Sequence, residues 1–239
     1  MTFTVASYNI HKCTGIDRRV DLERIADVLK EIDADLVGVQ EILHPQADAL
    51  AERLEMQVAM GPTNKLRGLP YGNAVLTRLP IQGSHTFDLS WAAREPRGGI
   101  RLDLTMEGSL LHVFNVHFGL KIRERADQVR TLVSEHVLHR DLTGLRIVIG
   151  DLNEWFPGAV GRMLRRELHG PRIIRRTHPA PLPIFPLDRI YWDRHFVSDS
   201  FRVHRSRLAR MASDHLPVVA RLRSSGSGSH GGAPSVSAG

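Results

Sequence analysis

Four scarcities bound what this 239-residue chain can be. Cys13 is the sole cysteine, so no disulfide can form within the chain and no cysteine cage for zinc is available. A reducing, cytoplasmic setting is the expectation. No apolar run reaches the roughly 20 residues that a membrane span needs. The N-terminal stretch Phe3-Thr4-Val5-Ala6-Ser7-Tyr8-Asn9-Ile10 alternates at once and lacks the basic and apolar regions of a secretion signal. Lysine is scarce too: only 4 of the 32 basic residues are Lys. The arginine excess fits phosphate binding, and it fits a base-composition bias of the genome equally well.

At 42% hydrophobic residues, the chain can bury a large core as one domain. Its formal charge of +6 favours an acidic partner: nucleic acid, an anionic membrane surface or a phosphorylated small molecule. Residues 1–223 are expected to form the domain and 224–239, rich in Gly and Ser, a disordered tail.

Helical spacing marks 21–33, with Asp21 as N-cap and Leu22, Ile25, Ala26, Leu29 and Ile32 on one face. The buried strand Leu36-Val37-Gly38-Val39 follows and delivers Glu41 at its end. Further helices are predicted over 45–56 and 123–138. Strands are predicted at 74–76, 100–106, 110–116, 146–150, 187–192, 201–204 and 217–222, with a tight Glu107-Gly108-Ser109 turn. Two halves of similar pattern predict two sheets face to face with helices outside.

Polar residues gather where these strands stop: Asn9, Glu41, His117, Asp151 with Asn153, Asp188, and Ser213-Asp214-His215. Asp151 and Asn153 are two apart, so a continuing strand would aim both into one cleft. Each residue also has an ordinary explanation. Asn9 can bond a turn, Glu41 can be solvated, and His117 can be a satisfied core histidine. Asp188 can pair with Arg189, and Asp214 can cap a turn.

The ordered blocks Ser7-Tyr8-Asn9-Ile10, Val39-Gln40-Glu41, Asn115-Val116-His117, Gly150-Asp151-Leu152-Asn153, Leu187-Asp188-Arg189-Ile190 and Ser213-Asp214-His215 together resemble the endonuclease/exonuclease/phosphatase superfamily over residues 3–222. The resemblance implies an α/β fold, a four-layer α-β-β-α sandwich with two mixed, mainly antiparallel sheets. It also implies phosphoester hydrolysis with magnesium or manganese, held by Asn9, Glu41 and Asp214. By the same resemblance Asp151 activates water, Asn153 fixes the nucleophile or a phosphate oxygen, and His215 contacts the phosphate as a cation kept protonated by Asp188. His117 donates to the phosphate or the leaving oxygen.

One departure stands out. Residues 61–78 contain no Asp or Glu, so His117 lacks the acidic partner that pancreatic-type nucleases place there. Tyr71-Gly72-Asn73 is similar instead to sphingomyelinase-like and small bacterial members. Asn73 is a candidate phosphate ligand or a turn amide. Arg97, followed by two glycines, is a candidate phosphate contact, ahead of Arg123 and Arg125. The stretch 162–176 holds six Arg against Glu167 and reads as a phosphate grip or a solvated surface. DNA or RNA is the leading expected substrate and phospholipid, sphingomyelin or inositol phosphate the alternative. A non-catalytic binding domain is the third reading.

Overall fold

The computed structural model describes residues 2–139 and 141–224. Eleven strands make two sheets among these residues. The first has the order β10-β11-β1-β2-β4-β3, from β1 (Thr2–Asn9), β2 (Leu36–Leu43), β3 (Gln57–Leu66), β4 (Leu69–Thr77), β10 (Phe196–Val203) and β11 (Val218–Ser224). The second has the order β5-β6-β7-β8-β9, from β5 (Ile81–Asp88), β6 (Gly98–Met106), β7 (Ser109–His117), β8 (Leu145–Asp151) and β9 (Asp188–Trp192). Two pairs, β1 with β2 and β7 with β8, are parallel, and the other pairings are antiparallel.

Alternation along each strand builds three apolar layers. Val5, Val75, Ile100, Leu102, Val113, Ile147 and Ile149 fill the space between the sheets. Ala6, Tyr8, Val37 and Val39 face the other way, onto α1 (Leu22–Ile32) and α2 (His44–Leu54). Phe114, Val116 and Val148 pack under α3 (Ile122–Thr131) and α4 (Ala159–Glu167). The four layers expected from the sequence are therefore present. A short α5 (Ala209–Ala212) completes the helices. Asp21 caps α1 by accepting from the Arg24 N–H at 3.0 Å.

Differences from the sequence reading lie at edges and ends. β3 and β5 were not expected. Both are edge strands with largely exposed side chains, and β3 carries Pro62 beside a register shift, which an edge tolerates. α4 overlaps the start of the arginine-rich stretch and lay hidden there, with only Val160 and Leu164 fully buried and Met163 packed beside them. The helix predicted over 123–138 winds as α3 and then loosens to π geometry over Leu132–Val137. The turn after β6 is the two-residue Glu107-Gly108, both at positive φ, as a hairpin twist requires. Ser224 closes β11, and the rest of the expected tail lies outside the described residues.

The two parallel pairs matter most for function. Asn9 and Glu41 come at or near the ends of β1 and β2, His117 and Asp151 at the ends of β7 and β8. Facing sheets bring all four ends to one rim, and Asp188, paired with Asp151, opens β9 there. The fit is close at Gly150, where φ is 147° and an added Cβ would stand 1.9 Å from the Val116 carbonyl oxygen. Gly150→Ala is therefore expected to cost about 3 kcal/mol and to lower the melting temperature by roughly 6–12 °C. An unchanged urea midpoint would show that β8 does not need glycine there.

Candidate active site

Glu41 owes its position to a bulge. Strict alternation after Val37 and Val39 would turn Glu41 toward the helices. Instead the register shifts between Val39 and Ile42, and Glu41 takes φ 56°. The extra residue re-aims the carboxylate to the rim, a common use of bulges. Beneath it, Gln40 Nε2 donates to Asn115 Oδ1 at 2.6 Å. The Asn115 amide donates to the carbonyls of Val39 at 2.9 Å and Ala74 at 2.8 Å.

Asn9 ties the two halves together. Its Nδ2 donates to Glu41 Oε1 and to Asp151 Oδ2, both at 3.1 Å, while its Oδ1 accepts from the His11 N–H at 3.1 Å. Lys12 Nζ reaches Glu41 Oε2 at 2.9 Å and lies over the Tyr71 ring. Burial alone would raise the Glu41 pKa, but the His117 ring, Lys12 and the Asn9 amide outweigh it and hold the carboxyl below its usual range.

Asp151 is 1% exposed and stands between two imidazoles. Its Oδ2 is 3.6 Å from His117 Nε2 and 3.7 Å from His215 Nε2. The strand stops at Asp151, so the same-face argument for Asn153 does not apply. Asn153 sits in a left-handed turn with φ 48°. Its N–H donates to Asp151 Oδ1 at 2.9 Å and its Nδ2 to the Phe118 carbonyl at 2.9 Å. An Asx-type turn, and not strand periodicity, brings the two together.

The histidines are held in opposite states. His215 Nδ1 lies 2.9 Å from Asp188 Oδ2, which also accepts from Thr177 Oγ1. Arg189, the neighbour considered for Asp188, donates instead to the Pro186 carbonyl. Burial works against charge on His215, yet Asp188, Asp151 and Asp214 push its pKa up to about 10. His117 has no such partner. Burial, then Arg97, push it down to about 4 against the pull of Asp151 and Glu41. Arg97 Nη1 lies 3.0 Å from His117 Nδ1 and its Nη2 donates to Glu95 Oε2 at 2.8 Å.

Asp214 is half-exposed, 3.7 Å from His11 Nδ1 and 3.8 Å from His178 Nε2. Ser213 Oγ donates to the Asn9 carbonyl at 2.8 Å and anchors that loop. Asn73 is buried and donates to the Gly98 carbonyl at 3.0 Å, which sets the start of β6. Arg123 faces a neighbouring groove, Arg125 is buried against the carbonyls of Gly119 and Leu120, and the 162–176 arginines lie on and after α4.

Several site residues escaped the sequence reading. Lys12, Tyr71, Thr177 and His178 come from loops and a half-buried strand end, where no periodicity marks them. The one available signal was adjacency, since Lys12 stands three residues after Asn9. Cys13 is fully buried, and burial with nearby Asp21 pushes its thiol up to about 12, so it is no nucleophile.

In metal-free protein, histidine NMR should find His215 protonated and His117 neutral throughout the range from about pH 5 to pH 9. The raised pKa of His215 contributes stability in full below the unfolded value of 6.5, lost as pH rises through about 10. For His117 the sign reverses: its contribution is present above 6.5 and lost as pH falls toward about 4. Asp188→Asn should bring the His215 titration down into the measured range. A wild-type His215 that titrates near 6.5 would contradict this electrostatic reading.

The fold and the site can be set beside known proteins. The profile described as Endonuclease/Exonuclease/phosphatase family matches residues 6–215. The chain is 30% identical to the uncharacterized protein YbhP of Escherichia coli over 92% of this chain and 96% of that one. A mannosyl-6-phosphatase of Bacteroides thetaiotaomicron superposes with a TM-score of 0.76 at 21% identity, over 92% of this chain and 99% of that one. D. rerio TDP2, complexed with single strand DNA product, superposes with a TM-score of 0.74 at 16% identity, over 93% and 99%. The two superpositions establish a shared fold, and with the family profile and the YbhP match they lead to one statement: this chain belongs to the Endonuclease/Exonuclease/phosphatase family.

Proposed function

We propose that this protein is a divalent-metal-dependent phosphodiesterase in which an activated water attacks phosphorus in line. The observation that carries the reading is Asp151, buried between a neutral His117 and a cationic His215 and bridged to Glu41 through Asn9.

The donor set fits magnesium or manganese. Glu41 and Asp214 offer carboxylate oxygens and Asn9 its Oδ1, which here accepts from the His11 N–H, and the rim holds Glu41, Asp151, Asp188 and Asp214 against the cations Lys12, His215 and Arg97, the last also paired with Glu95. Such an excess of negative charge suits a divalent cation. When bound, that ion polarises the phosphoryl oxygen and offsets charge that develops in the transition state.

The chain's own residues divide the remaining work. Asp151 orients the attacking water and takes its proton. An aspartate is a weak base at neutral pH, so placement contributes most of its effect. Asn153 holds Asp151 through its N–H. His215, with Nδ1 committed to Asp188, presents Nε2–H to a phosphoryl oxygen as a fixed cation. His117, neutral and flanked by Arg97, donates a hydrogen bond to the phosphate or the leaving oxygen, while Arg97 adds charge there. Asn73 acts from behind by fixing the Gly98 end of β6.

Basic charge and the phosphodiester chemistry place DNA or RNA first among substrates. Phospholipid is the second reading, favoured by exposed apolar loops beside the site. A non-catalytic binding domain would be expected to lack part of this machinery, yet Asn9, Glu41, His117, Asp151, Asn153, Asp188, Asp214 and His215 are all in place.

With bis(p-nitrophenyl) phosphate and magnesium or manganese, Asp151→Asn should lower kcat by about 10³-fold and His215→Gln by about 10²–10³-fold. A chelator should abolish turnover, and added metal should restore it. Full activity of Asp151→Asn, or turnover that survives chelation, would sink the mechanism. A panel of oligonucleotides and phospholipid vesicles ranks the substrates.

A further inference from the structure

The loops that continue the catalytic strands end in water-exposed apolar tips. Leu120 and Ile122 follow His117, Trp155 and Phe156 follow Asn153, and Leu182 and Ile184 precede Asp188. Ile122 is 77% exposed, Leu182 75% and Phe156 71%. These are large side chains on two loops and at the first residue of α3. A lone exposed apolar residue is ordinary, but contact between the loops makes this a continuous feature.

Trp155 and Phe156 stand 5.0 and 6.5 Å from the Phe185 ring, whose backbone pairs with His178. His178 in turn lies 4.8 Å, ring to ring, from His215. On the other side, Leu120, Ile122, Trp155 and Phe156 line a groove of about 660 Å³. The apolar rim thus runs from that groove to the histidine in the site.

Charge identifies the occupant. Arg94, Lys121 and Arg123 line the same groove, and none makes an ion pair among the described residues; the carboxylate in the lining, Glu154, is buried and accepts from the N–H groups of Val160 and Gly161. Unpaired cations beside apolar tips match a surface that is anionic above and hydrocarbon below. Single-stranded nucleic acid would use the aromatic faces and the cations, but Ile122, Leu182 and Ile184 offer nothing to a base. Trp155 has also turned toward Phe185.

We propose that this rim docks the protein on membranes containing anionic phospholipid. The apolar tips enter the acyl boundary, the three cations meet headgroup phosphates, and the site faces the plane where lipid phosphoesters lie. That the docked site then cleaves a lipid phosphoester rests on the hydrolase reading above. The docking does not.

The test uses the full chain and vesicles of phosphatidylcholine, with or without phosphatidylglycerol. Sedimentation should recover the protein with the anionic vesicles. The combined variant Ile122→Ser, Phe156→Ser, Leu182→Ser should lose at least ~100-fold in partitioning, since each buried tip is worth about tenfold or more. The variant Arg94→Gln, Lys121→Gln should lose most of the preference for anionic vesicles while keeping its residual binding. Both should melt like wild type and hydrolyse bis(p-nitrophenyl) phosphate at its rate. Tryptophan emission should shift to the blue on vesicle binding, and Trp155→Phe should remove most of that shift.

Wild-type protein that ignores vesicles, or an apolar variant that binds them equally, would overturn the docking surface. So would loss of oligonucleotide binding in the apolar variant without any vesicle binding in wild type. Turnover of the soluble diester without vesicle binding would defeat the docking alone. Vesicle binding without turnover of any phosphoester would defeat the hydrolase reading and leave the docking in place.

Discussion

Asn115 reaches across the sandwich from β7 to accept from Gln40 and to donate to the carbonyls of Val39 and Ala74. These groups lie in a largely apolar layer, where an unpaired carbonyl would be costly. At Val39 the β2 ladder breaks to form the bulge that turns Glu41 to the rim, and the freed carbonyl needs a donor. Asn115 supplies it. The same side chain lies two residues before His117, so one amide sets the spacing between the sheet that carries Glu41 and the sheet that carries His117.

On that frame, a small number of contacts give chemically similar groups different tasks. His215 and His117 are both buried and both near Asp151. Burial disfavours charge on both rings; Arg97 adds to it at His117, while Asp188, with Asp151, overrides it at His215, and their protonation is driven apart. Separation of this kind lets a fixed positive charge and a neutral donor coexist around a single carboxylate. Asn9 links that carboxylate to Glu41, so the nucleophile side and the proposed metal side cannot shift independently.

Much of this was legible in the sequence because it depends on short-range pattern. Helical spacing located α1 and α2, and apolar alternation located the central strands. The polar residues at strand ends stood out because they interrupt apolar runs. Edge strands β3 and β5 were not legible, since half of each faces water and carries mixed side chains. α4 was masked by arginines on its exposed face. Lys12, Thr177 and His178 were missed because loops have no period to read, and Tyr71 because it lies at the half-buried start of β4, before the apolar run. Strand periodicity also misassigned the cause of the Asp151–Asn153 pairing, which is a turn bond.

The sequence by itself determined the layers and the ordered set of polar groups, because alternation and helical spacing decide which face of each element seeks the core. It also determined that Cys13 has no partner. Only the tertiary structure decided which groups meet. Asn9 and Asp151 are 142 residues apart and share a hydrogen bond, a contact that depends on two sheets closing face to face. The charge states of His117 and His215 and the continuity of the apolar tips beside them arise the same way: each is set by neighbours distant in the chain, and no local pattern encodes them.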